Sequence, residues 1–184
     1  DHDLVVAKFV DMNEKTIAVL INWPCHGTVS GQDNTLITGD WPGAAAKYIK
    51  KKEGKDIVVA VTAGASGDIN PLYGPGKNFN EIDATGFLVA EEVNRILPEI
   101  KTYPLKEVQT TSTVMKFPGK KPSSTDLPVS KFEPAPENEI RITLFKVGDL
   151  VLAGISGELV NEIGMDIKNR CFKSHGELIL CHSW

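Results

Sequence analysis

Hydrophobic and polar positions along the chain first predict three short strands. Val, Ile and Phe dominate residues 4–10 and 16–22, and the polar residues 13–15 between them favour a hairpin turn. A continuous apolar run at residues 56–62 predicts a third strand. These runs indicate the beginning of a β-sheet.

Two segments instead carry the signals of helices. Residues 40–52 follow a polar loop, with Asp40 placed as an N-cap, Pro42 in the first turn and Gly54 as the stop. Residues 83–97 place their apolar side chains at helical spacing, with Pro98 expected to end the helix. The alternation of strand, loop and helix indicates that part of the sheet is parallel.

The second half of the chain returns to strands. Residues 108–117 alternate like an exposed strand, and residues 118–137, with five prolines and three lysines, are interpreted as a surface excursion. Three more strands are expected at residues 139–146, 150–155 and 177–181. A helix is expected at residues 158–170, between the last two of these strands. We therefore predict an α/β fold, with a mixed β-sheet and flanking helices in a single layered domain.

Composition narrows the classes of partner. The 184 residues are 41% hydrophobic, and the net charge of −4 without a Lys/Arg block argues against a nucleic-acid partner. No apolar run approaches the roughly 20 residues of a membrane span, so no transmembrane segment is expected. Three cysteines do not indicate a disulfide framework, although the sequence leaves a single disulfide possible. A first residue that is Asp1 and an apolar run that stops at Trp184 suggest that sequence is missing on both sides.

Polar side chains follow three of the predicted strands. His26 comes after residues 17–22, Asp68 and Asn70 after residues 57–62, and Glu158 after the strand that ends at Ile155. Ligands of open α/β sheets bind outside the carboxyl ends of strands, so these side chains converge if the strands are neighbours. A neutral imidazole and a carboxylate are a reasonable half of a catalytic zinc shell.

Each candidate also has an ordinary structural interpretation. His26 could be a hydrogen-bonded loop residue, Glu158 a first-turn carboxylate that complements a helix dipole, and residues 66–68 a turn or cap. Residues 154–158 do not match the Gly-x-Ser-x-Gly nucleophile elbow. Cys25 next to His26 is not a catalytic dyad by adjacency, because dyads form in space.

Four motifs in order make the chain resemble a known family. The sequence is similar to the N-terminal catalytic domain of neutral/alkaline non-lysosomal ceramidases. The matching motifs are INWPCHGT at residues 21–28, NTLITGDWPG at 34–43, GASGDINP at 64–71, and VGDL through Gly-Glu at 147–158.

The resemblance implies that residues 1–184 are part of a larger catalytic domain that cleaves the N-acyl amide bond of a ceramide-like lipid or related substrate. It implies a zinc ion held by two His, one Glu and one Tyr, with His26 as the second His and Glu158 as the Glu. The first His and the Tyr have no counterpart in this chain, so we expect the fragment alone to be inactive. A secreted, periplasmic or cell-surface location is the family's usual one.

One departure from the family bears on mechanism. Asn70 stands where the family has a Ser that is treated as catalytic. Asn is no nucleophile, but Asp68 or Asn70 could orient a water or the substrate carbonyl, and Asn70 could donate to an oxyanion. Two alternatives stay open: a non-catalytic binding module on the same fold, and a related metallo-esterase.

Overall fold

A computed structural model describes residues 2–74, 76, 79–105, 107–124, 131–175 and 178–183, with side chains described through Cys171. It confirms the predicted mixed α/β class, in one small domain of two sheets and three helices. The elements in chain order are β1 Val5–Val10, β2 Thr16–Trp23, α1 Asp40–Glu53, β3 Val58–Ala63, α2 Asn80–Ile96 followed by a 3-10 turn Leu97–Glu99, β4 Val108–Pro122, β5 Phe132–Val147, β6 Leu150–Ser156, α3 Asn161–His175 and β7 Leu178–Ser183.

The first sheet has the order β1-β2-β3. β1 and β2 form the expected antiparallel hairpin, and β2 runs parallel to β3 with Trp23 opposite Ala63. The parallel pairing predicted from the sequence is therefore confirmed. Because parallel strands end at the same edge, the loops that follow Trp23 and Ala63 leave the sheet side by side.

The main hydrophobic core lies between this sheet and helices α1 and α2. Val19 and Ile21 alternate along β2 and are 1% and 0% exposed, as expected for one face of a strand covered by helices. The helices contribute residues at helical spacing, namely Trp41, Ala45 and Ile49 from α1, and Ile82, Val89, Ala90 and Val93 from α2. The Trp41 ring also packs edge-on against Trp23, with 5.0 Å between ring centroids.

The second sheet has the order β4-β5-β6-β7, with β6 and β7 parallel. It carries a smaller hydrophobic cluster, in which Ala153 of β6 packs against Ile167 and Cys171 of α3. β7 contacts β3, so the second sheet lies next to the first. The strands expected in one mixed sheet are thus divided between two neighbouring sheets.

The proline-rich segment 118–137, interpreted from the sequence as a surface excursion, contains more strand than the sequence predicts. Its described residues continue β4 and β5, which pair from Val108 opposite Val147 out to Pro122 opposite Phe132. The described residues of the segment are nearly all exposed, as expected for a surface feature, and they form the outer parts of two long paired strands. Prolines are tolerated because the outer part of β5 pairs only with β4, which leaves its other edge without a ladder.

Helix starts also differ in detail. Gly39 precedes α1, and Asp40 is the first helical residue with a φ of 48°, so it is not the simple N-cap that the sequence predicts. Glu158 lies before α3, which begins at Asn161, so it is not a carboxylate of the first helical turn. Within the described part of the chain, no helix combines the length and the apolar character needed to cross a membrane.

Candidate functional site

The fold brings His26 and Glu158 into direct contact. His26 Nε2 lies 3.2 Å from Glu158 Oε1, and the side chains are 11% and 46% exposed. His26 follows β2 of the first sheet and Glu158 follows β6 of the second. A nearly buried imidazole therefore meets a half-exposed carboxylate where the two sheets adjoin.

The backbone of His26 is held on both sides. Its N–H donates to the carbonyl of Ile69, with 3.0 Å between nitrogen and oxygen. Its carbonyl accepts a 2.9 Å hydrogen bond from the indole Nε1–H of Trp41. Because Trp41 is buried in the main core, this bond fixes the loop after β2 to the start of α1.

Asp40 holds the next residues of the same loop, Val29 and Ser30, by hydrogen bonds. Its carboxylate is buried and accepts hydrogen bonds from the backbone N–H groups of Val29 at 3.1 Å, Ser30 at 2.9 Å and Trp41 at 2.8 Å. These donors satisfy a charge that would otherwise be costly to bury. Asp40 and Trp41 thus belong to the scaffold of the site, a role that their place in the motif 34–43 did not reveal.

Glu158 lies on a segment that is tied to the loop after β3. The N–H of Gly67 donates to the Leu159 carbonyl at 2.9 Å. A Cβ on Gly67 would lie 3.1 Å from Glu158 Cγ and 3.1 Å from the Leu159 oxygen, so a side chain there would require these neighbours to move by a few tenths of an ångström. The absence of a side chain at Gly67 therefore allows the segment of Glu158 and Leu159 to pack closely against this loop.

Asp68 and Asn70 lie in that same loop and have different surroundings. Asp68 Oδ1 accepts a 2.7 Å hydrogen bond from the backbone N–H of Asn161, the first residue of α3. Asn70 is exposed and follows Ile69, whose carbonyl receives the His26 N–H. The structure therefore brings the loop of both predicted residues next to the His26 backbone, and their role in orienting water stays a prediction.

Cys25 is buried beside His26. Burial, with a smaller contribution from the Asp40 carboxylate, raises the pKa of its thiol to about 11. A thiol with a raised pKa carries little thiolate at neutral pH, and the thiolate is the nucleophilic form. This agrees with the interpretation that Cys25 and His26 are not a nucleophilic dyad.

The donor set of the contact fits two ligands of a zinc ion. Zinc bonds of about 2.0–2.1 Å at tetrahedral angles place two ligand atoms about 3.4 Å apart. The separation between His26 Nε2 and Glu158 Oε1 is 3.2 Å, and imidazole with carboxylate is a combination that zinc accepts. Among the described residues no group of three or more His, Cys, Asp and Glu could hold a metal, so the pair is half of a shell at most.

Comparison with known proteins identifies a fold. No family model matches the sequence, and no curated protein matches it significantly. Among solved structures, the chain is similar to neutral ceramidase from Pseudomonas aeruginosa, with a TM-score of 0.74 and 17% identity over 96% of this chain and 38% of that one. It is also similar to a ceramidase complexed with C2, with a TM-score of 0.77 and 15% identity over 96% of this chain and 40% of that one. The chain therefore has a ceramidase-like fold and spans about two fifths of the length of these structures.

Proposed function

We propose that this chain forms part of the active site of a zinc-dependent hydrolase that cleaves an N-acyl amide bond in a lipid-like substrate. The observation that carries the proposal is the 3.2 Å contact between His26 Nε2 and Glu158 Oε1. Support also comes from the ceramidase-like fold, since both similar structures are ceramidases. The proposal assigns His26 and Glu158 as two zinc ligands, and the remaining ligands to residues outside the described part of the chain.

Residues of this chain would hold the metal and orient the substrate carbonyl or the attacking water. His26 and Glu158 would hold the metal through one nitrogen and one oxygen. Zinc in such a site polarises a carbonyl and makes a bound water acidic enough to react near neutral pH. The exposed amide of Asn70 would donate a hydrogen bond to the substrate carbonyl oxygen or orient the attacking water.

Zinc titration of single variants tests the ligand assignment. We expect His26→Ala and Glu158→Gln each to weaken Zn²⁺ binding roughly tenfold or more, because either change removes a donor atom. The matched control is Glu162→Gln, which alters an exposed carboxylate in the first turn of α3. Calorimetric titration measures the affinity. If the control and the two ligand variants bind Zn²⁺ like the unchanged chain, the zinc proposal is wrong.

Substrate assays separate the proposed amide hydrolase from its two rivals. A fluorogenic N-acyl sphingosine and a simple acyl ester are offered to the chain, and to the longer gene product if its gene encodes one. In the longer gene product we expect zinc-dependent cleavage of the amide that Glu158→Gln abolishes, whereas the fragment alone is expected to be inactive. Cleavage of the ester alone would favour a metallo-esterase. Lipid binding without cleavage of either substrate would favour a binding module.

The variant Asn70→Ser tests whether that position sets the chemistry. Serine supplies a hydroxyl that can act as a nucleophile, which the Asn70 amide cannot. We expect the variant to change the ratio of amide to ester cleavage, while Zn²⁺ affinity stays the same because Asn70 is not proposed as a ligand. An unchanged ratio in the active protein would remove Asn70 from the proposed mechanism.

A further inference from the structure

Residues 65–69, which we call the bridging loop, touch both halves of the candidate site. On one side the Ile69 carbonyl accepts the backbone N–H of His26 at 3.0 Å. On the other side the Gly67 N–H donates to the Leu159 carbonyl at 2.9 Å, next to Glu158 in the chain. The two candidate ligands follow strands of different sheets, so this loop is a common support for both.

Two further hydrogen bonds connect the bridging loop to the start of α3. Asp68 Oδ1 accepts the Asn161 backbone N–H at 2.7 Å, and the Asn161 side-chain amide donates to the Ala65 carbonyl at 3.3 Å. Asn161 is buried, with 8% of its surface exposed. Both bonds join residues that are more than ninety positions apart in the sequence, so they are tertiary contacts.

The Asp68 contact has the chemistry of a helix cap supplied from a distant loop. The first N–H groups of a helix have no partner inside the helix, and a carboxylate near them also complements the helix dipole. Asn161 is the first residue of α3, so its N–H is one of these groups. A hydrogen bond to a carboxylate is stronger than one between neutral groups, which suits the short 2.7 Å distance.

We infer that Asp68 is a positioning residue, which caps α3 from the bridging loop and thereby holds Glu158 against His26. Glu158 is separated from the capped residue Asn161 by only two residues, and its side-chain Cγ lies against Gly67 of the same loop. Loss of the cap would free the segment before α3 and lengthen the His26–Glu158 contact. That the contact serves zinc chemistry rests on the proposed function, whereas the positioning itself does not.

The test first measures the contact without metal. In Asp68→Ala, nuclear Overhauser contacts between the His26 ring and the Glu158 side chain should weaken, and the Asn161 amide should exchange roughly fivefold faster, as expected for a lost helix cap. Asp68→Asn keeps a carbonyl acceptor and should restore most of both signals. The matched control is Asp11→Ala, because Asp11 accepts the backbone N–H groups of Asn13 and Lys15 in the turn at the far end of β2.

A second measurement uses Zn²⁺ and a double-mutant cycle. Asp68→Ala should weaken Zn²⁺ binding about tenfold, as expected when a residue that orients a metal ligand is removed. In a Glu158→Gln background the same change should have no further effect, because Asp68 acts through Glu158. An unchanged His26–Glu158 contact in Asp68→Ala, with destabilisation no different from Asp11→Ala, would overturn the inference. Failure of both the chain and any longer gene product that supplies the remaining ligands to bind Zn²⁺ would instead overturn the proposed function, while the metal-free measurement still decides the inference.

Discussion

At the scale of single residues, Cys25 shows how burial controls chemistry next to the candidate site. Its pKa is raised from 9.0 to about 11, first by burial and then by the Asp40 carboxylate. At mildly alkaline pH its thiolate population is therefore about 100-fold smaller than that of an ordinary cysteine. We expect native Cys25 to react with iodoacetamide correspondingly slowly, as measured by peptide mapping. Unfolding in guanidinium is the control and should restore ordinary reactivity, whereas rapid native labelling would contradict the raised pKa.

The same shift predicts the pH dependence of stability. Folding raises the Cys25 pKa, so the native state favours the neutral thiol. The resulting stabilisation is complete below the unfolded pKa near 9.0 and is lost as the pH rises towards about 11. Denaturation midpoints over this range should fall more for the unchanged chain than for Cys25→Ser, whose hydroxyl does not titrate there. If the denaturation midpoints of the two proteins fall equally as the pH rises, Cys25 does not contribute to the loss of stability at alkaline pH.

At the scale of elements, the contact between α1 and α2 depends on Gly86. A Cβ at this position would lie 2.3 Å from Ala44 Cβ and 2.7 Å from the Ala45 nitrogen. Alanine is the better helix former by roughly 1 kcal/mol, but overpacking costs roughly 1–3 kcal/mol and here meets backbone. Because the added Cβ meets backbone, we expect Gly86→Ala to lower the free energy of unfolding by a net value of about 1–2 kcal/mol in urea titrations. Gly43→Ala is the matched control in α1, since its added Cβ would have no neighbour within 4 Å beyond the adjacent backbone of its own helix. Equal effects of the two changes would contradict this account of the packing.

Local sequence patterns predicted the presence of helices and strands better than the residues at which they begin and end. α1 was predicted from Pro42 in its first turn and Gly54 at its end, and α2 from apolar residues at helical spacing. The two strands of the first hairpin were predicted because Val, Ile and Phe are enriched in them. The hairpin arms in residues 118–137 were missed because prolines there mimic a loop, although an edge without a ladder tolerates them. Asp40 was expected as a cap, but its carboxylate also reaches Val29 and Ser30, which no local rule anticipates.

At the scale of the whole molecule, the candidate site depends on how two sheets meet. The strand-end rule predicted convergence of the four polar residues, and the contact between His26 and Glu158 agrees with that expectation. The rule could not show that the strands belong to different sheets, or that Asp68 would bind the Asn161 N–H. Such contacts join distant segments through backbone groups, and side-chain periodicity carries no information about them.

The two sheets should also differ in local stability. β2 is covered by α1 and α2, whereas the outer part of the β4–β5 hairpin is exposed on nearly all its residues. Amides in regions with few buried contacts open locally, so we expect hydrogen exchange to be slow in β2 and fast at residues 117–122. Ile49→Ala removes a fully buried side chain and should cost about 2–5 kcal/mol, which would speed exchange in β2 and leave exchange at residues 117–122 unchanged. Ile163→Ala is the control, because Ile163 is 51% exposed on α3 and its loss should leave β2 protected. Equal protection of β2 and residues 117–122 would mean that these two regions open together, and that residues 117–122 are stabilised by more than their pairing with β5.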